Sequence, residues 1–244
     1  MKVIHILLFI LLTPLLLKAQ EEVDGYESEF IYGINKNTAG GLIGGIVLRK
    51  SRKIGDRLYQ SYGLELMNVK HPLEYQLRAS SGSTFIFGKV NYLYAFRFQY
   101  GRELILFRKA PQQGVEIKLL TAIGPTIGLL APYYIEFNPD GGGSIGNNNT
   151  KREPYNPNNP NHDNSKIVGT GYILQGINES KIRLGANVKA GLSFELGTSK
   201  SSVTGFEIGA LLEAYTQKIE LLAGAENKSF FPTAYITIFY GTRR

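Results

Sequence analysis

The chain has no cysteine and no tryptophan, and only three histidines in 244 residues. Without cysteine it can form no disulfide, thiol nucleophile, Cys-ligated zinc site, iron–sulfur cluster or thioether-linked lipid anchor. Beyond residue 19 no apolar run approaches the length of a membrane-spanning helix. There is no phosphate-binding loop and no paired-carboxylate motif, and the glycines at 41–45 lack dinucleotide-binding spacing and a following helix. The formal charge is +7. Lys2 and Lys18 of the leader account for two of these charges, leaving a modest, dispersed +5 that does not point to nucleic acid.

What the chain does have begins with residues 1–19. Lys2 precedes an apolar run over 3–17 that contains Thr13 and Pro14 and ends before Lys18-Ala19. A membrane anchor needs roughly 20 uninterrupted apolar residues. A run of 15 with a proline inside reads instead as a cleaved secretory signal, with the mature chain starting near Gln20.

The most informative stretch is 181–196. Lys181, Arg183, Gly185, Asn187, Lys189, Gly191, Ser193 and Glu195 alternate with Ile182, Leu184, Ala186, Val188, Ala190, Leu192, Phe194 and Leu196. A helix would scatter these charges around its circumference, so strict period two identifies a strand. Its length suits a tilted membrane-crossing strand of about 9–11 residues better than a soluble strand of about 5–6. Similar alternation, in places weaker, occurs over 26–36, 57–67, 89–100, 114–130, 205–214 and 230–240, with Pro125 interrupting the fifth strand. Residues 41–50 are apolar on both faces and leave their orientation open. The total is eight strands joined alternately by short and longer links. That pattern predicts an all-β, eight-stranded antiparallel up-and-down transmembrane barrel, with short periplasmic turns and longer external loops. Closure satisfies every backbone hydrogen bond in lipid.

The polar faces place Glu27, Glu29, Glu65, Lys89, Arg97, Glu116, Lys118, Lys181, Arg183, Lys189, Glu195, Glu207 and Glu213 in the lumen. An eight-stranded barrel is only just wide enough for side chains. A structural ion-pair network is therefore expected, with a narrow conduit or small-ligand site as the sharper alternative. Residues 138–164, rich in Asn, Gly and Pro, read as a mobile external loop within a domain spanning 20–244. Its Asp140, Glu153 and Asp163 lack any calcium-loop spacing, so neither a metal nor another cofactor is expected.

Enzymes do occur among small barrels, and most of them need a histidine beside a serine or an acid. His71, with Glu74, Ser80, Ser81 and Ser83 nearby in sequence, and His162 in the Asn/Pro-rich stretch are the candidates, but no motif spacing joins them. No catalytic residue is assigned.

A leader ending Ala19-Gln20, about 225 following residues and eight Tyr/Phe-rich strands together resemble the PorT-like small outer-membrane barrels of the Bacteroidota. The chain departs from the usual terminal barrel signal, because Gly241-Thr242-Arg243-Arg244 follows Phe239-Tyr240. The residues thus read as a monomeric, non-enzymatic protein of the cell outer membrane with a structural role, and the resemblance implies envelope assembly or a type IX secretion-like accessory role. Outer-membrane lipid and other envelope proteins would be its partners. Binding residues are expected within 68–83 and 138–180. The rival readings are a lipid-modifying enzyme, a narrow channel and a soluble secreted β-sandwich.

Overall fold

The computed structural model describes residues 25–40, 44–79, 81–109, 114–141, 149–172, 174–196 and 201–244. The proposed signal peptide, Ser80 and residues 41–43 lie outside the described residues.

Eight long strands close on themselves: β1 (Ser28–Asn37), β2 (Gly45–Lys53), β3 (Leu58–Val69), β6 (Asn91–Phe107), β7 (Glu116–Pro132), β11 (Lys181–Glu195), β12 (Ser202–Ile219) and β13 (Lys228–Arg243). Each pairs antiparallel with its neighbour in the chain, and β1 pairs with β13 to complete the ring. Five short strands lie in the connections: β4 (Gln76–Arg78), β5 (Thr84–Ile86), β8 (Tyr134–Phe137), β9 (Lys151–Pro154) and β10 (Ile167–Thr170). The register can be followed once around the ring through Thr242, Phe30, Lys50, Tyr62, Tyr100, Ile123, Val188, Leu212 and Pro232. The path leaves β13 at Thr242 and returns to it at Pro232, a stagger of ten residues. A stagger of this kind requires strands tilted by about 35–45°. Ser28, Arg243, the link at 54–57 and the facing ends of β6 and β7 and of β11 and β12 lie at one end, hereafter the turn end. The described parts of the long links between β3 and β6 and between β7 and β11 lie at the other, the loop end.

Side chains are distributed inside out. On β11, Asn187, Lys189, Ser193 and Glu195 are buried, while Ile182, Leu184 and Val188 are exposed. The same holds on β1, β12 and β13, where Ile34, Ile208 and Ile238 face outward and Glu29, Glu207 and Thr237 face inward. The exposed wall is a belt of large apolar and aromatic residues. Each such side chain moved from water into hydrocarbon contributes roughly 1.5–3 kcal/mol.

Residues 41–50, whose orientation the sequence leaves open, resolve as far as they are described. Val47, Arg49 and Ser51 point inward and Ile46 outward. β6 continues to Phe107, past the end at residue 100 read from the sequence, because Gly101, Glu103 and Ile105 keep the inward parity. Pro125 stays in mid-strand. The β6–β7 ladder is open between the pairs Arg97↔Thr126 and Tyr100↔Ile123. The inward Asn187 amide donates to the carbonyls of Gly124 and Pro125 at 3.1 and 3.3 Å. A side chain thus satisfies carbonyls of β7 at the point where the ladder around the proline is open.

Candidate functional site

The lumen is filled from the turn end to mid-height by charge. In the middle layer, acids and bases alternate through Glu103, Arg49, Glu207, Lys189, Glu65, Arg97 and Glu213. Arg49 contacts Glu103 at 3.1 Å and Glu207 at 2.7 Å. Lys189 contacts Glu207 at 3.0 Å and Glu65 at 2.5 Å. Arg97 reaches Glu65 at 3.4 Å and grips Glu213 through Nε and Nη2 at 2.9 and 2.8 Å. These pairs cross the barrel, tying β2 to β12, β11 to β3 and β6 to β12. Ser51 donates to Glu103 at 2.6 Å, and Tyr235 donates to Glu207 at 2.6 Å.

A second layer closes the turn end. Arg243 contacts Glu29 at 2.7 Å and Glu116 at 3.1 Å, and also pairs with Glu195. Lys118 lies 3.1 Å from Glu29 and 3.5 Å from Glu116, and Lys109 pairs with Glu195. The Tyr26 ring covers Arg243 at 3.8 Å and stacks on Tyr59 at 4.7 Å. Across both layers seven carboxylates meet six cations. Burying a charge costs several kcal/mol unless it is paired, so near balance is a condition of filling the lumen this way.

Towards the loop end the filling turns apolar, with Met67, Val69, Leu93, Leu130, Tyr215, Ile219, Leu221 and Phe231 in one buried cluster. A void of about 10 Å³, lined in part by Arg49, Gln99 and Lys189, lies in the charged layer. That is room for a single water.

Four of the lumen assignments made from sequence need correction. Glu27 precedes β1 and is exposed, its backbone held by the Arg244 carbonyl at 2.7 Å. Lys89 precedes β6 and sits above the barrel, fully buried against Glu74 at 2.6 Å. Lys181 opens β11 at the loop end and is exposed. Arg183, two residues on, is half-buried, with its Nε unpartnered among the described residues. Their parity is correct, but the strands reach past the sealed part of the lumen, where inward no longer means enclosed. The other nine, Glu29, Glu65, Arg97, Glu116, Lys118, Lys189, Glu195, Glu207 and Glu213, lie in the two charged layers. Arg49, Lys109, Glu103 and Arg243 complete the network and escaped the sequence reading. Continued parity along β6 and β13 would have found the last two.

Above the barrel stands a folded head. β8 pairs with β9 and β10, and β4 pairs with β5, over a core of Ala79, Phe85, Tyr133, Ile135, Phe137 and Ile167. The Tyr133 hydroxyl accepts the Ile86 N–H at 2.9 Å, and burial pushes its phenol up to about 12. Desolvation moves the Lys89 ammonium down from its ordinary value, against the opposing pull of Glu74. Residues 149–164, expected to be part of a mobile loop, carry β9 and a short 3-10 turn that buries His162. His162 Nδ1 accepts the Asn156 N–H at 2.9 Å, so Nε2 carries the proton towards Glu153 at 2.6 Å. His71 Nδ1 accepts the Leu73 N–H at 3.2 Å, and its Nε2 lies 3.4 Å from the Glu226 carbonyl. Ser81 donates to the Val168 carbonyl. Both imidazoles thus staple loop backbone, and neither bonds a serine among the described residues.

The architecture is that of an all-β, eight-stranded antiparallel up-and-down barrel with a filled polar interior. No protein-family model matches the chain, and no curated protein matches it. Among solved structures it is similar to Neisserial surface protein A, at 10% identity with TM-score 0.41, over 92% of this chain and 100% of that one. It is also similar to Ail, the attachment invasion locus protein of Yersinia pestis, at 10% identity with TM-score 0.37, over 90% of this chain and 100% of that one. Ail is known as well in complex with the heparin analogue sucrose octasulfate.

Proposed function

We propose that this chain is a non-enzymatic integral protein of the bacterial outer membrane whose sealed barrel displays the folded head outside the cell. One observation carries the reading: Arg49, Lys189 and Arg97 bridge the walls of the lumen, while Ile34, Val188, Ile208 and Ile238 on the outer wall have no protein layer against them among the described residues. A side chain such as Ile238, 67% exposed, is at home in hydrocarbon, and a soluble sandwich would bury it against a second sheet. Short links at the turn end support a periplasmic placement of that end, with the head exterior.

The work of such a protein falls to its head and wall, as a structural or envelope-assembly element. The resemblance to PorT-like barrels supports the narrower role of a secretion accessory. Fractionation tests the first statement: the chain is expected in outer membranes and to require detergent for extraction, and recovery in a soluble fraction would remove it. Planar-bilayer recording separates a sealed barrel from a channel, and stepwise conductance would overturn the former. A deletion strain with an unchanged secreted-protein profile would remove the secretion role. Affinity capture from solubilised membranes, compared with a head-deleted control, would identify the partner.

A further inference from the structure

Every carboxylate on the eight barrel strands faces inward or lies at a mouth, so the charged residues on the outer wall are all cations: Lys36, Lys50, Arg52, Arg102, Lys218 and Lys228. Three of them gather near the turn end on neighbouring strands. In register, Lys50 of β2 stands beside Tyr62 of β3, which stands beside Tyr100 of β6. One row nearer the turns, Arg52 stands beside Gln60, which stands beside Arg102. All three cations are exposed, and none is paired with an acid among the described residues.

The surroundings are interfacial. Tyr62 and Tyr100 form an edge-to-face pair at 5.5 Å, Gln60 donates to the Tyr62 hydroxyl at 2.5 Å, and the Arg102 guanidinium lies 5.6 Å from the Tyr100 ring. A cation on the lipid face is strongly destabilising at mid-bilayer and nearly neutral at headgroup depth, where aromatic girdles also sit. The patch therefore marks a headgroup level. Strands are spaced about 4.8 Å apart, which puts Arg52 and Arg102 about 10 Å apart across β3. Two arginines at that separation can converge on one phosphodiester lying over Gln60. A zwitterionic headgroup would bring its own ammonium against three cations, whereas an anionic one would not.

We infer that this patch binds the headgroup of an anionic phospholipid in the leaflet at the turn end, with the phosphate between Arg52 and Arg102 and with Lys50 alongside. The inference rests on the membrane reading above, and the two can fail separately.

The test uses the full chain folded in maltoside micelles and titrated with phosphatidylglycerol or phosphatidylethanolamine, with bound lipid counted by native mass spectrometry. Heat-dependent gel migration establishes that each variant is folded. A basic residue near an anionic surface contributes about fivefold in affinity. The triple variant Lys50→Gln/Arg52→Gln/Arg102→Gln is therefore expected to lose phosphatidylglycerol binding by roughly a hundredfold. Lys36→Gln/Lys218→Gln/Lys228→Gln removes the same charge elsewhere on the wall and is expected to keep it. Equal affinity of the wild type for both lipids, or equal losses in the two triple variants, would overturn the site. A chain that ignores micelles and liposomes of any charge would instead overturn the membrane reading.

Discussion

Arg97 shows what a single residue does in a sealed polar core. It is 1% exposed and holds Glu213 with two nitrogens and Glu65 with a third. Arg97→Leu would leave Glu213 buried without that grip and Glu65 with Lys189 alone. Breaking a buried pair costs about 3–5 kcal/mol. The denaturant midpoint of the refolded barrel should fall accordingly, with Arg97→Lys intermediate; an unchanged midpoint would mean that the layer is hydrated and shielded. Lys89 makes a pH-dependent contribution in the head. Its pKa is lowered on folding, so between that lowered value and about 10.5 the unfolded chain binds more protons than the folded one. Stability of the head should therefore rise with pH through that window. Below it both states are charged, and the desolvation cost is borne in full. Protease resistance of the head between pH 7 and 10 measures this, and Lys89→Met should flatten the slope. Tyr133, held up near 12, stays neutral throughout.

At the scale of strands, two glycines make room for the network. A Cβ at Gly191 would strike the Tyr235 hydroxyl, and one at Gly209 would lie 2.7 Å from it. Tyr235 reaches Glu207 across these two bare positions on β11 and β12. Gly191→Leu is expected to push the ring aside, break that hydrogen bond and cost about 1–3 kcal/mol by overpacking, seen as a lower unfolding midpoint. The opposite face obeys a different rule. Val188 is 49% exposed on β11, and an arginine at the centre of a lipid-facing wall costs about 2–4 kcal/mol. Val188→Arg should lower stability in liposomes by that amount. A negligible change would show that Val188 does not contact hydrocarbon.

For the whole molecule, the head is built on two links of the barrel, the one between β3 and β6 and the one between β7 and β11. β8, β9 and β10 pair only with one another. The barrel ladders from β7 to β11 run from Lys181↔Leu130 to Glu195↔Glu116 without using them. Replacing residues 134–171 with a short Gly/Ser linker should leave a heat-modifiable, membrane-inserted barrel that captures no partner. If that variant fails to insert, the head is needed for barrel assembly and the division of labour is wrong.

Strand number, antiparallel order and the inward or outward parity of 181–196 were readable in the chain, because alternation is a local property and the pleat turns each residue to a definite face. Nine lumen charges followed from the same rule. Parity does not say where a lumen stops, and so Glu27, Lys89, Lys181 and Arg183 were placed one step too deep. Nor does it reveal which acid meets which base: Arg49 and Glu207 are 158 positions apart and meet because a ten-residue stagger brings β2 opposite β12. The head at 133–170 is the largest departure. Its polar, proline-rich sequence shows little hydrophobic period, and its core forms only when Phe85 from another loop packs beside Ile135 and Phe137. Local pattern therefore settled the walls, whereas the seal, the pairing and the head depended on contacts between distant parts of the chain, which only the closed ring and its stagger bring together.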